Sequence, residues 1–197
     1  RAQGLPLDLE AAAALAADPS AATRPAELAV VGDRPFVNAA SAGLSVIAAR
    51  AAHPYKARLG ALAYGVGALK AGAIASPLAC RVLVDGDERF AGDVWQVIVG
   101  VTGAFGGGSE IGGTEHDDEL LDTAIVPAGS RAGLARRAFG MRTGRLTAQD
   151  DVAHLRGERI ELELEDGTAF NVDGELCRCT PARFEVLPGG FAVVAGS

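Results

Sequence analysis

Arg159-Ile160-Glu161-Leu162-Glu163-Leu164-Glu165, closed by Asp166-Gly167, is the stretch that decides the fold class of this chain. Ile160, Leu162 and Leu164 fall on one side of an extended strand and the three glutamates on the other, because successive side chains point to opposite faces. Such a strand buries one face and keeps the other in water. Asp-Gly then predicts a hairpin turn, since both residue types tolerate the positive φ that tight connections require. Toward the C-terminus, 168–173, 183–186 and 191–194 read as further strands. Upstream, 27–31 and 35–39 read as strands around Gly32-Asp33-Arg34, followed by 81–84, 94–101 and 121–126. Helical spacing is predicted for 7–17, with Asp8 as N-cap, and for 41–50, 55–71 and 130–139. The glycine-rich segment 103–113 reads as a loop. Many short strands with Gly-rich turns give a mainly β (α+β) chain, a β-sandwich carrying a helical insertion.

Composition narrows the function classes. Across 197 residues the net charge is −7, which argues against nucleic acid, because phosphate backbones demand clustered Lys and Arg. The same acidity weakens electrostatic attachment to anionic lipid. The longest apolar stretch, 59–79, is broken by Lys70 and Pro77 and reads as a buried helix and loop, with no membrane span. The chain opens on Arg1 without a signal-peptide pattern and resembles an excised piece. Cys80, Cys177 and Cys179 are an odd number without a C-x-x-C spacing, which predicts reduced thiols of a cytoplasmic protein; Cys177 and Cys179 sit poorly for a disulfide. His53, His116 and His154 are scattered and give no zinc spacing.

Three segments could carry chemistry. In Asn171-Val172-Asp173-Gly174-Glu175 a continued strand puts Asn171, Asp173 and Glu175 on one face, two carboxylates beside a glycine that lets a substrate approach. That is a candidate acid/base or metal site, although Asp-Gly-Glu is also a common solvated turn. Glu115-His116-Asp117-Asp118-Glu119-Leu120-Leu121-Asp122 offers oxygen ligands for a hard cation, without EF-hand spacing; an exposed acidic turn explains it equally. Gly106-Gly107-Gly108 leads into this acidic segment and a strand, not a helix, so it is no phosphate-cradling loop. Arg131, Arg136 and Arg137 read as a solvated basic face.

The order of these signals resembles the bacterial diacylglycerol kinase family of lipid kinases, related to sphingosine and ceramide kinases and more distantly to NAD kinases. The resemblance rests on Phe36-x-Asn38-x-x-Ser41-x-Gly43, on Lys56-x-x-Leu59-Gly60-x-x-x-Tyr64, on the Asp118 turn, on Asp173-Gly174-Glu175 and on Thr180-Pro181 with Leu187-Pro188-Gly189. It implies the β-sandwich-like C-terminal domain of the NAD kinase/diacylglycerol kinase-like fold over residues 26–197. Residues 1–25 would then be the tail of an N-terminal nucleotide-binding α/β domain. Glu175 would be the base that takes the lipid hydroxyl proton, and Asp173 its neighbour in a magnesium and phosphate network. Asn38, Ser41 and Gly43 would line the substrate cleft. Some members hold a further Mg²⁺ at a turn equivalent to Glu115, Asp118 and Leu120, through two carbonyls and the Asp side chain; here the usual Asp-Gly is Asp118-Glu119. The implied partners are the nucleotide-binding domain and a membrane lipid reached from the cytoplasmic face, with ATP as co-substrate. A homodimer is expected if Leu9 and Leu15 of the first helix stay uncovered. Two other readings stay open: a kinase of the same superfamily acting on a soluble substrate, and a non-catalytic β-sandwich module that binds a metal or a partner.

The family's Gly-Gly-Asp-Gly-Thr nucleotide motif does not occur in these residues. Titration calorimetry of this chain with Mg-ATP is therefore expected to show no micromolar binding. Micromolar affinity would count against the domain assignment.

Overall fold

In a computed structural model of the chain, the residues described are 5–52, 72–102, 104–105, 109–110, 118–131, 133, 152–179 and 181–194. The elements are α1 (Leu9–Ala17), β1 (Thr23–Val31), β2 (Arg34–Phe36), β3 (Ala39–Gly43), α2 (Leu44–Ala52), β4 (Leu78–Val84) and β5 (Asp87–Gly100). They continue as β6 (Ala104–Phe105), β7 (Ser109–Glu110), β8 (Leu121–Pro127), β9 (Ala153–Gly157), β10 (Arg159–Leu164), β11 (Ala169–Val172), β12 (Glu175–Arg178) and β13 (Ala182–Val194). The expected helices 55–71 and, for the most part, 130–139 lie outside the described residues.

Eleven strands form one sheet in the order β12-β11-β3-β5-β4-β10-β13-β1-β2, with β8 also pairing β5 and β9. The long strand β5 explains how one sheet makes two layers. Its first half pairs with β4, and its second half pairs with both β3 and β8. Residues 87–93 of β5 are mostly exposed, whereas Val94–Gly100 are buried on both faces. Val97 and Val99 enter the main core between the layers, and Trp95 and Ile98 enter a second core packed against Leu44 and Ile47 of α2. Double burial erases the alternation that marks a half-buried strand, so the run reads as continuously apolar.

The main core closes on aromatic rings. Phe184 of β13 meets Phe36 edge-on at 6.2 Å and Phe170 of β11 at 6.0 Å. On the exposed side of β4, β10 and β13, the register sets Glu163 opposite Arg81, Glu161 opposite Arg183 and Arg159 opposite Glu185. All three pairs form ion pairs, at 2.5, 3.1 and 2.9 Å. Exposed pairs contribute only ~0.2–1 kcal/mol each, yet slipping the register by one residue would turn Ile160 and Leu162 outward, so charge and apolar pattern agree on one pairing.

Several sequence expectations need correction. Ser41 lies in β3 and not in a helix, because the helix starts only after Gly43. The strand expected over 35–39 is split between β2 and β3. The glycine-rich loop contains the short antiparallel pair β6–β7. The strands at 183–186 and 191–194 are one strand, β13, interrupted in its pairing with β1 around Glu27. Asp166-Gly167 makes no hairpin: Thr168 N–H donates to the Glu165 carbonyl at 3.1 Å, but β10 pairs with β4 and β13 while β11 pairs with β3 and β12. Only Gly167 has positive φ there, whereas both residues are positive at Asp85-Gly86 and Asp173-Gly174, which do join paired strands. Asp8 caps α1 as expected, its carboxylate accepting from Ala11 N–H at 2.9 Å; α1 itself has no buried residue.

Gly43 is where β3 lies tightest against β5. Its φ is +101°, and a Cβ would stand 2.3 Å from the Trp95 carbonyl oxygen. Gly43→Ala is expected to cost about 3 kcal/mol of stability, from backbone strain and forced separation of the strands. Urea denaturation reads this as a lower midpoint; an unchanged midpoint would show that the sheet yields there.

Candidate functional site

Asp173 and Gly174 are the two central residues of the β11–β12 hairpin, with φ of 48° and 94°. Both residues sit in the left-handed region of a type I′ turn, which Asp-Gly suits because glycine has no Cβ and Asp tolerates that region. The turn reverses the chain, so Val172 and Glu175 face each other as a cross-strand pair. Asp173 and Glu175 are therefore not neighbours on one face of a continuing strand, as the sequence alone suggested.

The Asp173 carboxylate is committed to backbone. One oxygen accepts from Val37 N–H at 2.7 Å; the other accepts from Asn38 and Ala39 N–H, each at 3.0 Å. The Asp173 N–H in turn donates to the Ala39 carbonyl at 3.0 Å. The bend between β2 and β3 exposes these three amides, and an ionised carboxylate satisfies all of them. Asn38 continues the junction: its carbonyl accepts from Val101 N–H at 2.9 Å, and its side chain lies 3.5 Å from the Thr102 hydroxyl. Ser41 is buried and shares a 2.8 Å hydrogen bond with Ser45. Asn38 is thus the exposed member of the expected substrate-binding set, while Ser41 and Gly43 lie deeper in the sheet.

Glu175 heads β12 with its side chain 75% exposed and ion-paired to Arg34 of β2. Arg34 entered the sequence reading only as part of a turn. It is 141 positions away, and no local spacing could have signalled the pair. Val37 and Leu176, which adjoin these residues in sequence or through a backbone hydrogen bond, are both exposed hydrophobic residues.

A second acidic cluster lies at the start of β8. Asp118 accepts from Leu120 N–H at 3.1 Å and pairs with Arg156. Asp122 is fully buried, 2.5 Å from His154 Nε2 and 3.2 Å from Arg156 Nε. Arg156 stands directly opposite Asp122 across β8–β9, with His154 next along the same face. The bulge at Glu27 in β1 aims that carboxylate at Glu119 N–H, 2.6 Å away. Glu119 adopts φ of 61°, so the left-handed turn survives without glycine. The signal for this cluster was Asp122 alone within an apolar strand, since a buried charge requires a partner.

Glu115, one of the three expected metal ligands, lies outside the described residues. The Asp118 carboxylate is already shared between the Leu120 amide and the Arg156 guanidinium, so a divalent cation there would sit beside a positive charge. Among the described residues no group of three or more His, Cys, Asp or Glu is arranged to hold a metal. Of the implied ligands, the described residues contain Asp118 and Leu120, and the Asp118 carboxylate is already engaged by Arg156 and the Leu120 amide.

The family model of the YegS C-terminal NAD kinase beta sandwich-like domain matches residues 38–195. Two curated diacylglycerol kinases, from Mycobacterium tuberculosis strains CDC 1551 / Oshkosh and ATCC 25618 / H37Rv, are each 29% identical over 119 residues. That match covers 60% of this chain and 38% of each relative. A crystal structure of a diacylglycerol kinase from Bacillus anthracis str. Sterne superposes with a TM-score of 0.76 at 23% identity, over 100% of this chain and 64% of that one. Another crystal structure from the same strain gives 0.77 at 22% identity, with the same coverage. This chain thus spans well under half of the curated relatives and under two thirds of the solved chains.

Asp173→Ala removes three charge-assisted hydrogen bonds and leaves a residue without a polar side chain at positive φ. It is expected to cost about 3 kcal/mol, whereas Asp173→Asn, which keeps one acceptor oxygen, is expected to cost about half as much. Urea unfolding of both variants checks the ranking, and equal, negligible losses would remove the anchoring role.

Proposed function

Because this chain belongs to the family of the YegS C-terminal NAD kinase beta sandwich-like domain, we propose that it is the C-terminal, substrate-side part of an ATP-dependent lipid kinase that phosphorylates the hydroxyl of diacylglycerol or a similar lipid. The observation that carries the reading is the three-amide grip of Asp173 on Val37, Asn38 and Ala39. It draws the Asp-Gly-Glu hairpin onto the Phe-x-Asn-x-x-Ser-x-Gly segment, two motifs that are 130 residues apart in the chain and belong to one function only if they meet.

In this proposal Glu175 is the general base. Its carboxylate is open to an incoming hydroxyl, and Arg34 restrains its direction while leaving most of it exposed. Asp173 positions the hairpin, and the exposed Asn38, held to the same carboxylate, is assigned to substrate binding. Phosphoryl transfer depends mainly on alignment and charge neutralisation, so one aimed carboxylate is enough on the acceptor side. ATP and its Mg²⁺ are assigned to a nucleotide-binding domain, for which the uncovered α1 with exposed Leu7 and Leu9 is a natural contact. No described helix is long and apolar enough to cross a membrane; the enzyme is proposed to act peripherally, at the cytoplasmic face, in phospholipid metabolism.

The test is phosphate transfer by the full-length protein to diacylglycerol, a sphingoid base and NAD in parallel. Transfer to NAD alone would replace the lipid reading with a soluble substrate. On the accepted lipid, Glu175→Gln is expected to lower turnover by about 10²–10⁴ with little change in KM. Retention of more than about half the turnover would defeat the assignment of the base.

A further inference from the structure

Cys177 and Cys179 lie at the C-terminal end of β12, two positions apart and therefore on one side of the extended chain. Both are free and half-buried, and their Sγ atoms are 3.3 Å apart, in direct contact. Both line one open pocket of about 370 Å³, walled on its other side by Gly32, Asp33 and Arg34 from the β1–β2 turn. The remaining cysteine, Cys80, is buried in the main core and pushed up to about 12 by that burial. The chain therefore holds one sequestered thiol and one solvent-reachable pair.

We propose that Cys177 and Cys179 form a reversible dithiol–disulfide site that reacts with small disulfides of the glutathione class. The sulfurs need to approach from 3.3 Å to the ~2.05 Å of a disulfide bond. The geometry permits this because β12 ends at Arg178, so Cys179 is not held by a ladder hydrogen bond. The sheet makes the contact, since Cys177 is fixed opposite Phe170 while both sulfurs pack on the main core.

The chemistry needs only the pair and a small disulfide. Burial, the hydrogen bond to Cys177 and the charge of Cys177 push Cys179 up to about 12, with Asp33 adding to this and Arg34 opposing it. The contact makes either order possible; with Cys177 attacking, its thiolate displaces one thiolate from the small disulfide and forms a mixed disulfide. Cys179 yields its proton to the released thiolate or to water and attacks the Cys177 sulfur, expelling the second small thiolate. Two protein thiols are oxidised and one small disulfide is reduced to two thiols. A ring this short is easily reduced again, which marks a labile bond and not a structural one.

The site also has a position that matters. Cys177 is two residues from Glu175 on the same four-residue strand, and Arg34, the partner of Glu175, walls the pocket. Closing the ring strains the short strand at whose other end Glu175 stands, so oxidation is expected to lower turnover of the intact protein. That consequence rests on the proposed role of Glu175; formation of the ring does not.

The experiment treats the native full-length protein with oxidised glutathione, quenches with acid, and digests with a glutamate-specific protease, which releases Leu176–Glu185 with both cysteines. The expected product is that peptide lighter by two hydrogens, restored by dithiothreitol, with Cys80 alkylated only after unfolding. Cys179→Ser is expected to stop at a stable glutathione adduct on Cys177. Wild-type protein that accumulates glutathione adducts without closing, forms only intermolecular dimers, or does not react would overturn the proposal. So would ring closure at an undiminished rate in urea, which would mean that nearness in sequence suffices without the fold.

Discussion

The closure of the sheet on itself depends on Phe184, fully buried between the rings of Phe36 and Phe170. These three side chains come from β13 and β2, near one end of the strand order, and from β11, near the other. Burying one such ring stabilises by about 1.5–3 kcal/mol, and edge-to-face contacts add a directional part. A flat sheet of this order would leave one apolar face in water. Folding at β5 brings the two halves face to face, and the aromatic cluster fills the gap between them. The hairpin with Asp173 and Glu175 follows at once: Phe170 is its root, three residues before Asp173, and its depth in the core fixes where the hairpin tip emerges.

Carboxylates then fasten the irregular parts that the ladder cannot hold. Asp173 accepts three amides of the β2–β3 bend, Glu27 accepts the amide of Glu119, and Asp118 accepts the amide of Leu120 while pairing with Arg156. Each joins a turn or bulge to a distant strand where unpaired N–H groups would otherwise be costly. Asp122 differs. It is buried inside β8 and held against His154 and Arg156, and its second oxygen lacks a hydrogen-bond partner among the described residues. The Arg156 guanidinium thus already stands beside both Asp118 and Asp122, and links the acidic turn to β9.

What was legible in the sequence follows from how many faces of an element meet water. β10, with one face wet, shows its alternation plainly, and Asp8 sits where an exposed helix start needs a cap. β5 is exposed along its first half and buried on both faces along its second, so only 94–101 looked like a strand. β9 and β12 are short and mix polar with apolar residues, and nothing in their spacing announces them. The three Asp-Gly pairs look identical, yet only two join neighbouring strands; whether a turn makes a hairpin depends on which layer receives the next strand. Asp173, Glu175 and Asn38 were visible as motif residues, but the reversal between Asp173 and Glu175 was not. Arg34, Glu27, His154 and Arg156 were invisible for a common reason: each acquires its role from a partner that only the tertiary fold supplies.

The contrast between Asp173 and Glu175 is the arrangement's main physical content. Two adjacent carboxylates with the same intrinsic chemistry end up with opposite freedom. Asp173 is saturated by backbone donors and can do little beyond holding the hairpin. Glu175, one turn residue later, keeps most of its surface in solvent and has a single tether, which an incoming substrate could compete for. A base needs a fixed backbone and an available head, and a two-residue turn at a sheet edge provides both within three positions. Moving the anchor to Glu175 would bury the proposed base, while removing it from Asp173 would let the tip swing, so the different freedom of the two acids is set by the turn and not by their residue types.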